Sequence, residues 1–343
     1  MKLKHGSRGE RLIAQLEAHR VNGPSIASLI TPLSLETFLS EYFSTKPTVL
    51  QRSRPEAFDQ LISIAGIDDI ILTHCLSSAD LALVVGGDKI GEGEYTDSKG
   101  RVDVHKVMEF HGDGATIALH GMEAHHPSLA AVCASAEGTF GCVCGVNIYV
   151  TPPLSQGFRP HFDLEDVFIL QIYGEKRWRI FEEAVRYPTA AHLGGDSHLD
   201  GHEPVYDTML QAGDLIYIPR GFVHEARTSE RSTSVHVTLG MMPFTWAELL
   251  LESVWSAIYS SPLFREGLPP EIVFGSTNAS TIQEKLRHMA LEFANNLDPS
   301  SAMQSVKSRF EQRRRPFASP SLSEVERKTL SSVRSNTVKL QAE

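Results

Sequence analysis

The feature that most constrains this chain is the triplet His161-Phe-Asp163, answered far downstream by His224 in the run Gly213-Asp-Leu-Ile-Tyr-Ile-Pro219-Arg-Gly221-Phe-Val-His224. On an extended strand His161 and Asp163 point to the same face, so an imidazole nitrogen and a carboxylate oxygen reach one metal ion. His224 then supplies a third ligand from another strand, which requires a fold that curls distant strands around one centre. Two His and one carboxylate leave coordination positions open, the ligand set of non-haem Fe(II) oxygenases, which must hold a co-substrate and dioxygen together.

A His-x-Asp triplet often arises by chance, and it gains weight only from its neighbours. Val167-Phe-Ile-Leu-Gln-Ile172 reads as a buried strand, Gly174-Glu175 as a turn, and Arg177-Trp-Arg-Ile-Phe181 as a strand of alternating character. Leu215-Ile-Tyr-Ile218 is a further strand running into Pro219 and Gly221, which turn the chain just before His224. The two halves look like the paired motifs of a cupin, a double-stranded β-helix (jelly roll) with its metal inside the barrel. The expected fold class is therefore a mainly β core with α additions, followed by a helical C-terminal region.

Period-two counting places Lys176 on one face with Trp178 and Ile180, so its ammonium points inward among apolar neighbours and calls for an anion. A lysine at a turn that snorkels to solvent is the plainer alternative. In Val146-Asn-Ile-Tyr-Val-Thr151 the polar Asn147, Tyr149 and Thr151 share a face, and in Ser232-Thr-Ser-Val-His-Val-Thr-Leu239 so do Ser234, His236 and Thr238. Such faces line a wet cavity, although an ordinary antiparallel strand with one solvated side has the same pattern.

The ordered run Asn147-Ile-Tyr149-Val-Thr-Pro-Pro-Leu-Ser-Gln-Gly157-Phe-Arg-Pro-His161-Phe-Asp163, followed by Phe168-Ile-Leu-Gln-Ile-Tyr-Gly174-Glu-Lys176-Arg-Trp178-Arg, closely resembles the JmjC-type cupins of the ribosomal-oxygenase family. The match extends to Gly213-Asp214, Pro219-x-Gly221-x-x-His224 and upstream to Tyr42-Phe-x-x-Lys46-Pro47, covering roughly residues 30 to 240. The resemblance implies an Fe(II)- and 2-oxoglutarate-dependent dioxygenase that hydroxylates a protein or peptide side chain, such as a His or Arg of a ribosomal protein. It implies His161, Asp163 and His224 as iron ligands, and Lys176, Tyr149 and Asn147 at the 2-oxoglutarate site, with Lys176 on the distal carboxylate. His236 and Thr238 are expected to support these groups from behind. A serine often follows the His-Val-Thr-Leu segment in that family, whereas this chain has Gly240, a departure at one co-substrate hydrogen bond.

The 343 residues, 41% of them hydrophobic, are ample for a sizeable core, and no apolar run is long enough to cross a membrane. The opening Met-Lys-Leu-Lys-His-Gly-Ser-Arg lacks the apolar segment of a secretory signal, and a short amphipathic helix is expected around Leu12, Ile13 and Leu16, so the expected location is cytoplasmic. Cys75, Cys133, Cys142 and Cys144 form no disulfide ladder and read as packed thiols. A formal net charge of −10 argues against broad nucleic-acid binding and permits attraction of a basic protein or peptide. No helix-turn-helix is recognisable, so no direct DNA binding is expected.

Residues 1–240 are expected to form the cupin with bracing elements: a helix over Ser34–Phe43, ended by Pro47, and a strand at Thr48-Val-Leu50. Gly86–Gly100 reads as a mobile surface loop. His192, His198 and His202 fall in a solvated Gly- and Asp-rich insertion, and His125-His126-Pro127 reads as a helix start with no chemistry assigned. Residues 241–316 read as helical. Trp246–Ser260 carries a stripe of Leu249, Leu250, Val254 and Ile258, a capping box Ser280-Thr-Ile-Gln283 opens a second helix, and Asp298-Pro299 starts a third with Met303, Val306 and Phe310. The plainer reading of this region is a helical cap packed on the barrel, whereas the resemblance implies a homodimer; residues 317–343 are expected to form a flexible polar tail. Related enzymes often continue into a winged-helix domain, for which this Ser-rich ending is too short, so the family's mode of substrate docking is not carried over. Two classes remain beside the oxygenase, a cupin isomerase or metal hydrolase and a non-catalytic binding cupin. A biosynthetic peptide or small metabolite is the alternative substrate, and the metal motif does not choose hydroxylation over demethylation.

Overall fold

The computed structural model describes residues 23–193, 203–275 and 278–313; the helix expected around Leu12, the histidines His198 and His202, and the 317–343 tail lie outside them. Among the described residues eleven strands form two sheets. They are β1 Thr48–Leu50, β2 Leu81–Val85, β3 Asp88–Lys89, β4 Thr116–Leu119, β5 Cys142–Thr151, β6 Asp166–Tyr173, β7 Glu175–Glu183, β8 Tyr206–Gln211, β9 Leu215–Ile218, β10 Phe222–Thr228 and β11 Ser234–Pro243. The larger sheet runs β1-β9-β6-β11-β5-β4-β2-β3 and the smaller β10-β7-β8. Their antiparallel strands face each other as a JmjC/cupin-like jelly roll, with helices at the C-terminal end.

The apolar run of β6 is continuous because both of its faces are covered. Phe168 and Leu170 enter a core shared with Phe38, Leu129, Val146, Ile148, Val237 and Tyr217, while Val167 and Ile169 enter a second core with Trp178, Ile180, Leu210 and Ile218. Each such side chain contributes about 1.5–3 kcal/mol by burial, so a charge at either face of β6 would open one of the two cores. Strand β7 keeps its period: Lys176, Trp178 and Ile180 are buried, whereas Arg177 and Arg179 point outward to Asp207 at 2.6 Å and Glu225 at 2.7 Å. The single residue between β6 and β7 is Gly174, at φ 65°, where a Cβ would meet Thr233 O at 2.1 Å. Only glycine turns the chain there.

The expected helix over Ser34–Phe43 is realised as Leu35–Thr37 running into a π-turn, Phe38–Tyr42. The turn drops Phe38 against Phe168 and Tyr217. Ser44 Oγ and Tyr217 OH both donate to buried Asp166, which also accepts from Arg220 N, so the bracing segment is pinned to the first residue of β6. Gly86–Gly100 is not a plain loop. It is a β2–β3 hairpin turned by Gly86 and Gly87, followed by the helix Glu92–Tyr95, because Tyr95 is buried and holds the segment down.

The chain divides into two compact units at Met242/Pro243. In the second, the helix Trp246–Ser260 buries Glu252, Ser253 and Ala257 most deeply; of the expected stripe Leu249, Val254 and Ile258 are half-buried and Leu250 is exposed. The reason is electrostatic and steric: Glu252 and Glu248 pair with Arg309 and Arg313, and small residues, including Ala302, let the helices approach closely. The cap of the helix Ala279–Asn295 is Asn278, which accepts from Ser280 N, and not a Ser280 capping box. The helix Pro299–Arg313 starts as expected, with Asp298 accepting from Ser300 N and Ser301 N.

Candidate metal centre

His161 stands outside any strand, yet it exchanges both backbone hydrogen bonds with His224 (N to O 3.1 and 2.8 Å), forming an isolated antiparallel bridge. Directly opposed residues of such a pair project to the same side, which brings the two imidazoles to 4.5 Å between centroids. Gly221 N donates to Asp163 O, and Gly221 adopts φ 88° at a point where a Cβ would lie 2.0 Å from Val185 O, so the turn leading into His224 requires glycine. A register shift between Phe222 and His224 then sets the direction of His224, as bulges commonly do beside functional sites.

Asp163 lies between the rings, its oxygens 3.7 Å from His161 Nε2 and 3.6 Å from His224 Nε2. His161 Nδ1 donates to Arg159 O at 2.7 Å and His224 Nδ1 to Phe222 O at 3.1 Å. A carbonyl only accepts, so the proton of each neutral ring sits on Nδ1 and the lone pair on Nε2, facing Asp163. Burial pushes the His224 pKa down to about 4, against the opposing effect of Asp163, which keeps this lone pair free at neutral pH. The three side chains present ligand atoms within 4.8 Å of one another and form the one such group among the described residues.

This triad lies on the wall of a cavity of about 290 Å³ between the two sheets. Lys176, Tyr149, Trp178, His236, Thr238 and Thr116 also line it. Lys176 is 4% exposed, and its Nζ donates to Thr151 Oγ1 at 3.0 Å. Burial alone lowers its pKa from 10.5 to about 7, and no carboxylate among the described residues offsets that. His236 stacks on Tyr149 at 4.9 Å and meets Trp178 edge-on, and its buried Nδ1 has no hydrogen-bond partner. Burial, then the Lys176 charge, holds His236 well below its ordinary range, so it is neutral. The Tyr149 phenol is pushed up, first by burial and then by Asp163, and stays protonated.

Asn147 does not line the cavity. It stands behind it, hydrogen-bonding Tyr149 and His120 and accepting from Gly121 N, and so orients Tyr149. Thr151 and Thr116 relay Lys176 through hydroxyl contacts of 3.0 and 3.3 Å, and sequence reasoning did not single out Thr116. Thr151 was visible as the end of a polar strand face, but Thr116 lies on β4, whose four-residue pattern carries no signal. Glu165 was also missed. Its carboxyl is raised by burial and by Asp163, and it occupies the space beside Gly240, where a Cβ would sit 2.1 Å from Glu165 Oε2.

The JmjC domain family matches residues 122–249, which hold all three members of the triad and Lys176. The chain carries a JmjC domain. Over 302 residues it is 32% identical to the bifunctional lysine-specific demethylase and histidyl-hydroxylase NO66 of Drosophila willistoni, covering 83% of this chain and 39% of that protein. The Drosophila melanogaster NO66 is 32% identical over 248 residues, 70% of this chain and 38% of its own length. The chain thus spans well under half the length of these relatives. The chain also superposes on the Escherichia coli ribosomal oxygenase YcfD in complex with cobalt and 2-oxoglutarate, with TM-score 0.51 and 19% identity over 81% of this chain and 71% of that one. YcfD with cobalt and succinic acid gives TM-score 0.50 at 23% identity, over 80% and 69%. At these identities the likeness establishes a common fold.

Proposed function

We propose that this chain is an Fe(II)- and 2-oxoglutarate-dependent oxygenase that hydroxylates a protein side chain. The observation that carries the reading is a buried lysine with no carboxylate partner among the described residues, in the same cavity as a His-Asp-His triad whose lone pairs converge. A buried ammonium is expensive unless it meets an anion, and a dicarboxylate that also chelates a metal meets both requirements.

The residues present fit both groups. His161, Asp163 and His224 would hold iron, with the two Nδ1–H bonds to backbone carbonyls fixing ring tautomer and orientation. Lys176 would bind the distal carboxylate, Thr151 holds Lys176 in line, and Tyr149 supplies a phenol proton from the cavity wall. The orphaned Nδ1 of His236 and the hydroxyl of Thr238 offer further polar contacts. Trp178, Val167 and Ile169 close the apolar side of the cavity and exclude water. When bound, iron and 2-oxoglutarate supply the oxidising power for hydroxylating an unactivated C–H bond, and the protein supplies geometry and a shaped cavity.

The net charge of −10 suits a basic protein segment, and the NO66 and YcfD likenesses support a protein substrate of the ribosomal kind. Trp246, Tyr259 and Phe274 are 79%, 76% and 82% exposed, which supports a homodimer through the C-terminal helices. The four cysteines stand outside any disulfide, which suits a reducing, cytoplasmic location; no helix among the described residues is long and apolar enough to cross a membrane. The deciding test is anaerobic binding of Fe(II) and 2-oxoglutarate, then oxygen exposure with ribosomal-protein peptides. Succinate release with a gain of one oxygen on the peptide is expected. Absence of 2-oxoglutarate binding by the iron-loaded protein overturns the reading, and loss of a methyl group would replace hydroxylation by demethylation.

A further inference from the structure

Away from the cavity, two histidines far apart in sequence meet with their Nδ1 atoms 3.1 Å apart. His74 caps the C-terminal end of the helix Ile64–Thr73, and His125 follows the short turn Met122–Ala124. The far nitrogen of each ring turns toward its own carboxylate: His74 Nε2 lies 4.0 Å from Asp69 Oδ2, and His125 Nε2 lies 3.9 Å from Asp80 Oδ1. Both carboxylates are oriented from behind. Asp80 Oδ2 accepts from Ser77 N at 2.9 Å and Ser77 Oγ at 2.7 Å, and Thr73 Oγ1 contacts Asp69 Oδ1 at 3.5 Å.

A neutral imidazole carries one N–H. If each ring carries that proton on Nε2, the side that faces a carboxylate, both Nδ1 atoms present lone pairs to each other and at 3.1 Å repel unless a positive charge stands between them; if one ring carries it on Nδ1, the two share a neutral N–H···N hydrogen bond. We propose that His74 and His125 form a second metal site, taking a divalent, imidazole-preferring transition metal such as Zn(II) through the two Nδ1 atoms. Each ring has a carboxylate at ion-pair distance on the side away from the ion, the side on which a carboxylate stands in a carboxylate–histidine–metal relay. With bonds of about 2.0–2.1 Å, the observed N···N separation sets an N–metal–N angle of roughly 100°, which tetrahedral and octahedral centres both accommodate. The side chains of His74 and His125 are 29% and 21% exposed, so water can complete the coordination.

The rival occupant is the proton of one neutral ring, held on Nδ1 and donated to Nδ1 of the other. A metal shared by His74 and His125 would tie the end of the helix Ile64–Thr73 to the turn that follows β4 and precedes the helix Pro127–Phe140. Its role is to brace, and it is independent of the oxygenase reading.

The test uses the full chain, stripped by chelator and dialysed against Zn(II), with bound metal measured by elemental analysis. Wild type is expected to retain two Zn(II) per chain, Asp163→Ala one, His74→Gln and His125→Gln one each, and Asp163→Ala/His125→Gln none. Zn(II) should raise the melting temperature of Asp163→Ala and leave that of the double variant unchanged, while the metal-free proteins melt together. Unaltered stoichiometry in both His→Gln variants, or a single Zn(II) in wild type that disappears in Asp163→Ala, would overturn the proposal and leave the pair as a neutral N–H···N hydrogen bond.

Discussion

Replacing Lys176 by Met separates what this side chain does to the fold from what it does for a ligand. Methionine keeps the length and the contact with Trp178 but carries no charge. In the folded chain burial lowers the Lys176 pKa from 10.5 to about 7, a difference of about 5 kcal/mol between the charged and neutral forms. The sign follows from proton counting. Above pH 10.5 the lysine is neutral in both states; between 10.5 and 7 the unfolded chain binds the extra proton; below 7 both are charged and the full penalty stands. Stability attributable to this group therefore falls as pH drops from 10.5 to 7. The metal-free Lys176→Met variant should be more stable than wild type by about 2–5 kcal/mol at pH 7, an advantage that shrinks to about 2 kcal/mol or less at pH 9. Urea unfolding followed by circular dichroism at both pH values measures it. The same substitution should weaken 2-oxoglutarate binding to the iron-loaded protein by about 10–150-fold, the equivalent of one charge-assisted contact. Equal or lower stability of the variant at pH 7 would refute the desolvation argument. Unchanged 2-oxoglutarate affinity would refute the assignment of the distal carboxylate.

Asp163→Ala removes the one anionic ligand and should abolish both Fe(II) retention and turnover, as should His161→Ala and His224→Ala; turnover by a metal-stripped and reconstituted Asp163→Ala protein at the wild-type rate would sink the triad. Because Lys176 is charged below about pH 7 and neutral above it, 2-oxoglutarate affinity should be level at lower pH and decline above pH 7, with proton uptake on binding near pH 8 that calorimetry in buffers of different ionisation enthalpy detects. A pH-independent affinity between 6 and 9 contradicts this. Gly240→Ser should drive its Cβ into Glu165 Oε2 and swing that flexible carboxyl aside at a cost of about 1 kcal/mol or less in thermal or urea unfolding, and Glu165→Ala should relieve most of that loss; additive effects of the two changes would show that they do not share the space.

The candidate metal ligands were legible because their information is local. The spacing His161-x-Asp163 and the Pro219-x-Gly221-x-x-His224 turn are short-range patterns, and the structure brings these residues within ligand distance of one another. The alternation of β7 and the two-faced run of β6 were equally readable, since a period of two survives any tertiary context. What failed had a different cause. The Gly86–Gly100 segment looks like a loop by composition, and it is held as a hairpin and helix by Tyr95, a single buried anchor. The stripe on Trp246–Ser260 was read from hydrophobicity, while Glu252 and Glu248 turn toward Arg309 and Arg313 on a helix distant in sequence. His74 and His125 gave no signal at all, because nothing in either neighbourhood reports a partner across the fold.

The charges of the cavity also bear on the order in which its ligands arrive. Asp163 stands in the proposed metal triad with Glu165 close enough for its carboxyl to feel that charge, whereas Lys176 lies buried on β7 with no other charge to meet it among the described residues. His236 is neutral and Tyr149 protonated, so neither adds a compensating charge. Without a cation at the triad, a dicarboxylate approaching Lys176 must pass or rest beside two acidic side chains in a low-dielectric space, where like charges repel strongly. A divalent ion on His161, Asp163 and His224 reverses the sign at that end. Metal should therefore precede 2-oxoglutarate: affinity for 2-oxoglutarate should be at least tenfold lower in the metal-free protein than in protein loaded with a redox-inert divalent ion, and Glu165→Gln should narrow that gap by strengthening metal-free binding. Equal affinity with and without the ion would mean that Lys176 alone holds the co-substrate and that the triad takes no part in binding it.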